Sequence, residues 1–228
     1  MKRITITFIV CLVGFLAAFA DKDPQDFKVI AYRADGTHFE GYITTALRRY
    51  FRPKQSEVGI SETFGGEAKK YSSAEVVSIV YPPNAKDSAS VVYDAVTAIM
   101  RSSMFSKAKP TKDPIFMRLI YNGKHVKGYV LPYVDQTLTT TPDAYLNIMN
   151  YTYQYFFMPV EEGVAKPYWM DVQGIMPNAK GIIKKFLKDF PEIGKMIDKG
   201  ELTPKEFRDN PAIVLPMMDY FLEQRKSD

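Results

Sequence analysis

The sequence predicts an α+β protein: antiparallel β-rich N-terminal and middle segments, and a helical C-terminal tail packed on the sheet. Three observations predict it. Short runs of apolar alternation, rich in Val, Ile and Tyr, are punctuated by Asp35-Gly36, Gly65-Gly66 and Asn122-Gly123. Helical apolar spacing appears only in the last fifty residues or so. That tail also carries cap-plus-proline helix starts at Thr203-Pro204 and Asn210-Pro211. The expected organisation is a signal peptide over 1–20, a small barrel-like β region over 21–110, a second antiparallel region over 111–175 and a helical region over 176–228.

The chain opens with Lys2 and Arg3, an uncharged apolar run from Ile4 to Leu16, and Ala18-Phe19-Ala20 before the polar Asp21-Lys22-Asp23-Pro24. That is the grammar of a secretory signal cleaved near Ala20. The run is shorter than the ~20 residues a spanning helix needs, and no later segment is long and apolar enough to replace it. The expectation is an exported protein, periplasmic or extracellular, with no transmembrane segment after cleavage.

Phe27–Arg33 and His38–Thr45 flank Asp35-Gly36 and read as a hairpin. A two-residue turn there places Arg33 opposite His38, with Glu40 on the same face. Val58–Glu62 and Glu67–Tyr71 form a second hairpin about Gly65-Gly66. Glu75–Tyr81 follows, with Val77, Ile79 and Tyr81 on one face, and Pro82-Pro83 ends it. Ser88–Met100 reads equally as strand, from its β-branching, or as helix, from its alanines. Residues 107–114 read as a loop. Ile115–Tyr121 and Lys124–Leu131 form a hairpin about Asn122-Gly123, which sets Ile120 opposite His125 and Arg118 opposite Lys127. Leu146–Met158 and Lys166–Val172 read as long strands around a Glu161-Glu162-Gly163 turn.

In the tail, Ile182, Ile183, Phe186, Leu187 and Phe190 make a stripe at helical spacing. Pro191 opens a short helix ending near Gly200. Thr203, Pro204 and Glu206 start another, and Pro211 starts a last one that Pro216 should bend.

Composition excludes several function classes. Cys11 is the one cysteine and lies in the signal, so disulfides, thiolate zinc sites and cysteine nucleophiles fall away. Lys2 and Arg3 leave with it, so the remainder holds 28 basic against 26 acidic residues. That near-neutral balance argues against nucleic acid as a partner. The two histidines, His38 and His125, are not spaced as metal ligands. No phosphate loop, dinucleotide fingerprint or Gly-x-Ser-x-Gly is present, so no cofactor and no catalytic residue is expected.

Two candidate ligand surfaces remain. Tyr151, Tyr153 and Tyr155 alternate along one strand face, with Trp169 on the expected partner strand, a surface able to stack sugars or grip a peptide. Arg118, His125 and Lys127 are candidate anion donors, because like charges placed opposite each other on adjacent strands call for a counter-charge. The basic run Arg48-Arg49-Tyr50-Phe51-Arg52-Pro53-Lys54 and the lysines at 180, 184, 185 and 188 are weaker candidates for an anionic membrane surface.

The opening hairpin ending in Glu40-Gly41-Tyr42-Ile43, the segment Tyr121-Asn-Gly-Lys-His-Val-Lys-Gly-Tyr129 and the tail Lys184-Lys-Phe-Leu-Lys-Asp-Phe-Pro-Glu192 resemble exported proteins of unknown function from Bacteroidetes-type bacteria. The resemblance implies the bacterial envelope or exterior and no activity. The expected function is a non-catalytic envelope or secreted binding module whose partner is a protein or a glycan. The alternative is a carboxylate-dependent hydrolase of envelope or dietary polymers.

Overall fold

The computed structural model describes residues 23–44, 55–85, 88–100, 108–136, 149–169, 183 and 187–227. They form an α+β protein with a β-rich body. Strands β1 (Lys28–Arg33), β2 (His38–Ile43), β3 (Glu57–Ser61), β4 (Lys69–Ser72) and β5 (Val76–Tyr81) come first. Then come β6 (Val91–Met100), β7 (Lys109–Pro110), β8 (Ile115–Asn122), β9 (Val126–Gln136), β10 (Met149–Pro159) and β11 (Val164–Trp169). Helices α1 (Pro191–Lys199), α2 (Pro204–Asp209) and α3 (Pro211–Ser227) follow. The ambiguous segment 88–100 is therefore strand from Val91 onward, and a two-residue strand interrupts the expected loop at 107–114.

One sheet runs β11-β10-β9-β8-β6-β5-β1-β2-β3-β4. β6 is its pivot. It pairs antiparallel with β5 and β8, and its far half takes β11 in parallel through Val164 opposite Thr97 and Ala165 opposite Ala98. That parallel pairing closes β6, β8, β9, β10 and β11 into a ring and so removes two sheet edges. Val96, Ala98, Met117, Tyr129, Phe156 and Ala165 fill its interior. On the other side of β6, Val29, Ala31, Val58, Ile60, Val76 and Ile79 form a second core that also takes Phe116 of β8. The N–H of Phe116 donates to the carbonyl of Gln55 at 3.2 Å, tying β8 to the approach into β3.

The helices cover the outer face of the ring. Successive strand residues point to opposite faces, so Phe156 faces the ring interior while Phe157 packs among Phe190, Ile193, Val214 and Leu215. Pro191 begins α1, and Gly200 ends it with φ +77°, a left-handed cap. Thr203 and Glu206 satisfy each other's backbone N–H groups at the start of α2, the expected capping box. α3 seats Leu215 on Gly128 of β9, where a Cβ would lie 2.3 Å from the leucine Cδ1.

Three register expectations are corrected. Arg33 faces Thr37, and His38 faces Tyr32. The turn has three residues, Ala34 to Gly36, because Gly36 takes φ +85° as the extra residue of a bulged hairpin. At the β8–β9 hairpin Asn122 faces Lys127 and Arg118 faces Val130. Gly123 has no positive φ there, so Asn122-Gly123 is not the turn; Gly123 donates to the Val126 carbonyl at 2.9 Å and the chain reverses at Lys124-His125. A shift at Ile120 then sets the register of the remainder. Finally, Val77 is the extra residue of a bulge against β1 and lies exposed, while Val76 takes the buried place beside Ile79.

Among the described residues, no helix is long and apolar enough to cross a membrane.

Candidate functional site

The β1–β2 and β4–β5 turns lie side by side, with the Ala34 N–H donating to the Glu75 carbonyl at 3.1 Å. Between them opens a pocket of about 330 Å³ lined by Arg33, Asp35, Lys69, Tyr71 and Glu75. Its two acids are tied locally. One oxygen of Asp35 accepts the Thr37 hydroxyl at 2.6 Å and the Thr37 N–H at 2.9 Å. One oxygen of Glu75 accepts the Ser72 N–H and hydroxyl, each at 2.8 Å. Those donors hold both carboxyls below their ordinary range: the Thr37 hydroxyl foremost for Asp35, the Ser72 N–H foremost for Glu75.

The two cations are held by aromatic rings. The Arg33 guanidinium lies 4.9 Å from the Phe39 ring centre, and the Lys69 ammonium 5.1 Å from that of Tyr71. Phe39 and Tyr71 meet at 5.0 Å. Among the described residues neither cation has a carboxylate within ion-pair distance, and the buried Nε of Arg33 has no hydrogen-bond partner. The site thus presents two cations set against aromatic rings beside two ionised acids, each of which spends one oxygen on its own turn; Arg33 and Lys69 help to lower Glu75 from a distance, and Arg33 helps to lower Asp35.

A second cleft of about 290 Å³ lies between the β10–β11 turn and the end of α3, with His125, Glu161, Phe190, Leu222 and Lys226 in its wall. Its charges are already spent on each other. The Lys226 ammonium donates to Glu161 at 2.5 Å and sits 3.1 Å from His125 Nδ1. Lys166 holds Glu162 at 2.8 Å and Asp189 at 2.7 Å. Arg225 holds Glu192 and also donates to the Asp189 carbonyl at 2.8 Å. The Lys226 hydrogen bond keeps Glu161 below the usual carboxylate range. Burial pushes Glu192 up, but Arg225 and a backbone N–H outweigh it.

The chain matches no family model, no curated protein and no solved structure.

The residues expected to hold an anion are distributed differently. Arg118 is exposed beside Val130. Lys127 reaches to 4.0 Å from Asp94, which also accepts the Ser78 and Tyr129 hydroxyls. His125 lines the second cleft. The anion that this hairpin holds is the protein's own: the Asp219 carboxylate of α3 accepts the N–H groups of Lys124, His125 and Val126 and the Tyr121 hydroxyl.

Among the aromatic candidates, Tyr155 is half-buried in the core beneath the helices and stacks on Tyr168 at 5.8 Å. Tyr151 and Tyr153 lie in β10 and Trp169 ends β11 opposite Tyr155; their side chains lie outside the described residues. The run 48–54 and the lysines at 180, 184 and 185 lie outside them too. His38 meets Tyr32 and Glu40 pairs with Lys28 at 2.8 Å, so neither joins Arg33. Lys69, Tyr71 and Glu75 escaped sequence reasoning. The signal for the first two was their alternation along β4, which puts Lys69 and Tyr71 on one face.

Among the described residues, no three His, Cys, Asp or Glu side chains gather as a metal site.

Proposed function

We propose that the protein is a non-catalytic binding module, exported to the bacterial envelope or beyond, that takes a glycan at the Arg33–Lys69 pocket. The observation that carries this reading is a pair of cations set against aromatic rings in an open pocket, making no direct ion pair among the described residues and standing beside two carboxylates. A charge already held in place loses little freedom when a ligand arrives, which favours recognition. The signal-like opening supports export.

The hydrolase alternative needs one carboxyl kept protonated near neutral pH as general acid. Asp35 and Glu75 in the first pocket are both shifted the other way, toward the ionised form. That favours binding over turnover there.

A thermal-shift screen of the purified protein against neutral and charged glycans, cell-wall peptides and simple anions tests the proposal. A ligand at 100 times its dissociation constant stabilises by ~2.7 kcal/mol, a rise of roughly 5–10 °C for a chain of this length. The expected result is a shift with a charged glycan that is lost in Lys69→Met. Shifts indifferent to Lys69→Met, or release of cleaved products from a glycan, would overturn it.

A further inference from the structure

We infer that the ligand of this pocket is an acidic saccharide, a sugar carrying a carboxylate such as a hexuronate; this rests on reading the pocket as a binding site. Arg33 and Lys69 supply the positive charge. The guanidinium is oriented by the face of Phe39, and the ammonium by Tyr71. A planar guanidinium and an ammonium together suit a carboxylate, which offers two oxygens.

The acids decide against a bare anion. Asp35 and Glu75 line the same pocket and are ionised, so sulfate or phosphate would meet two negative charges as well as two positive ones. Both carboxylates use one oxygen for Thr37 or Ser72. The other oxygen of each is an acceptor that hydroxyl groups can satisfy. A ligand that joins a carboxylate to vicinal hydroxyls is complementary to both halves: its anion to Arg33 and Lys69, its O–H donors to Asp35 and Glu75. A neutral sugar would leave the cations unmatched. The cavity, about 330 Å³, accommodates one or two sugar rings.

The test is a calorimetric titration with oligogalacturonate, galactose oligomers of equal length and inorganic sulfate, on wild type and on Lys69→Met, Arg33→Ala and Glu75→Gln. Oligogalacturonate should bind, and the galactose oligomer should not. Lys69→Met and Arg33→Ala should each weaken binding about tenfold or more. Lys69 is exposed, so its variant reports even if Arg33→Ala fails to fold. Glu75→Gln is the discriminating change: it should weaken uronate binding several-fold by removing a charged acceptor, yet strengthen sulfate binding by removing a repulsion. Sulfate binding as tightly as the uronate, with both strengthened by Glu75→Gln, would overturn the saccharide inference and leave an anion pocket. Another ligand class binding in a Lys69-dependent way would overturn it while keeping the binding-site reading. No binding by any of the three probes, with no Lys69-dependent ligand, would sink both.

Discussion

The Asp219 carboxylate accepts the His125 backbone N–H at 2.6 Å, so α3 closes the β8–β9 turn with its own charge. The same group takes the N–H groups of Val126 at 2.7 Å and Lys124 at 3.2 Å, and the Tyr121 hydroxyl at 3.2 Å. A turn whose N–H groups point at one place needs an anion there. Gly123 permits the approach: a Cβ on it would lie 2.6 Å from the carboxylate. Asp219→Ala strands several donors at once and should destabilise by about 2–4 kcal/mol. Asp219→Asn keeps an acceptor but loses its charge and should cost about half as much. Urea unfolding of the three proteins measures this, and a cost near zero for Asp219→Ala would mean that water replaces the carboxylate freely.

Gly128 and Leu215 make the second contact between this hairpin and α3. Leu215 is buried and its Cδ1 lies where a Cβ on residue 128 would come within 2.3 Å. Gly128→Ala should therefore overpack the interface and cost about 1–3 kcal/mol. Leu215→Ala should cost about 2–5 kcal/mol by leaving a cavity. The double variant should cost less than the two singles summed, since the new methyl occupies space the leucine vacates. Strict additivity would show that the helix simply lifts away.

The strands were legible because alternation and turn dipeptides mark them locally, and the helices because caps and prolines mark their starts. Register was not. Asn122-Gly123 has the composition of a two-residue turn, but α3 holds the turn two residues later, through Asp219, some ninety residues on. Val77 alternates correctly with Ile79, yet a bulge against β1 puts Val76 in the core instead. The parallel closure of β11 on β6 also has no local signature. The Arg33–Lys69 pocket was missed for the same reason: it joins two turns that the sequence separates by more than thirty residues, whereas residue-by-residue reading tied Arg33 to His38.

Acid should loosen the tail from the ring. In the folded chain Asp219 sits below its ordinary pKa: burial raises it, but the N–H donors of His125, Val126 and Lys124 outweigh that. Glu192, held by Arg225, is lowered as well. A carboxyl lowered by folding contributes stability that is complete above its unfolded value and is lost as pH falls through the folded one. Stability should then be flat from neutral pH down to about 5 and decline below about 4.5. Asp219→Asn should show a shallower decline than wild type in urea midpoints measured across that range. Parallel profiles would assign the acid sensitivity to other groups.

Two buried phenols make opposite predictions. Burial, with the Asp94 charge beside it, pushes the Tyr129 hydroxyl far above its ordinary pKa; it donates to Asp94 at 3.1 Å inside the ring. The Tyr168 hydroxyl is likewise raised by burial, but among the described residues it has no hydrogen-bond partner. Its ring is nonetheless fixed, stacked on Tyr155 and edge-on to Phe207 at 5.4 Å. Removing a satisfied hydroxyl loses a hydrogen bond to a charge, so Tyr129→Phe should cost about 1.5–3 kcal/mol. Removing an unsatisfied one relieves a desolvation penalty and keeps the aromatic packing, so Tyr168→Phe should be neutral or stabilising by about 1 kcal/mol. Thermal and urea unfolding of the two variants separate the cases. A loss at Tyr168 as large as that at Tyr129 would reveal a partner for its hydroxyl beyond the described residues and make that phenol part of the tail's docking.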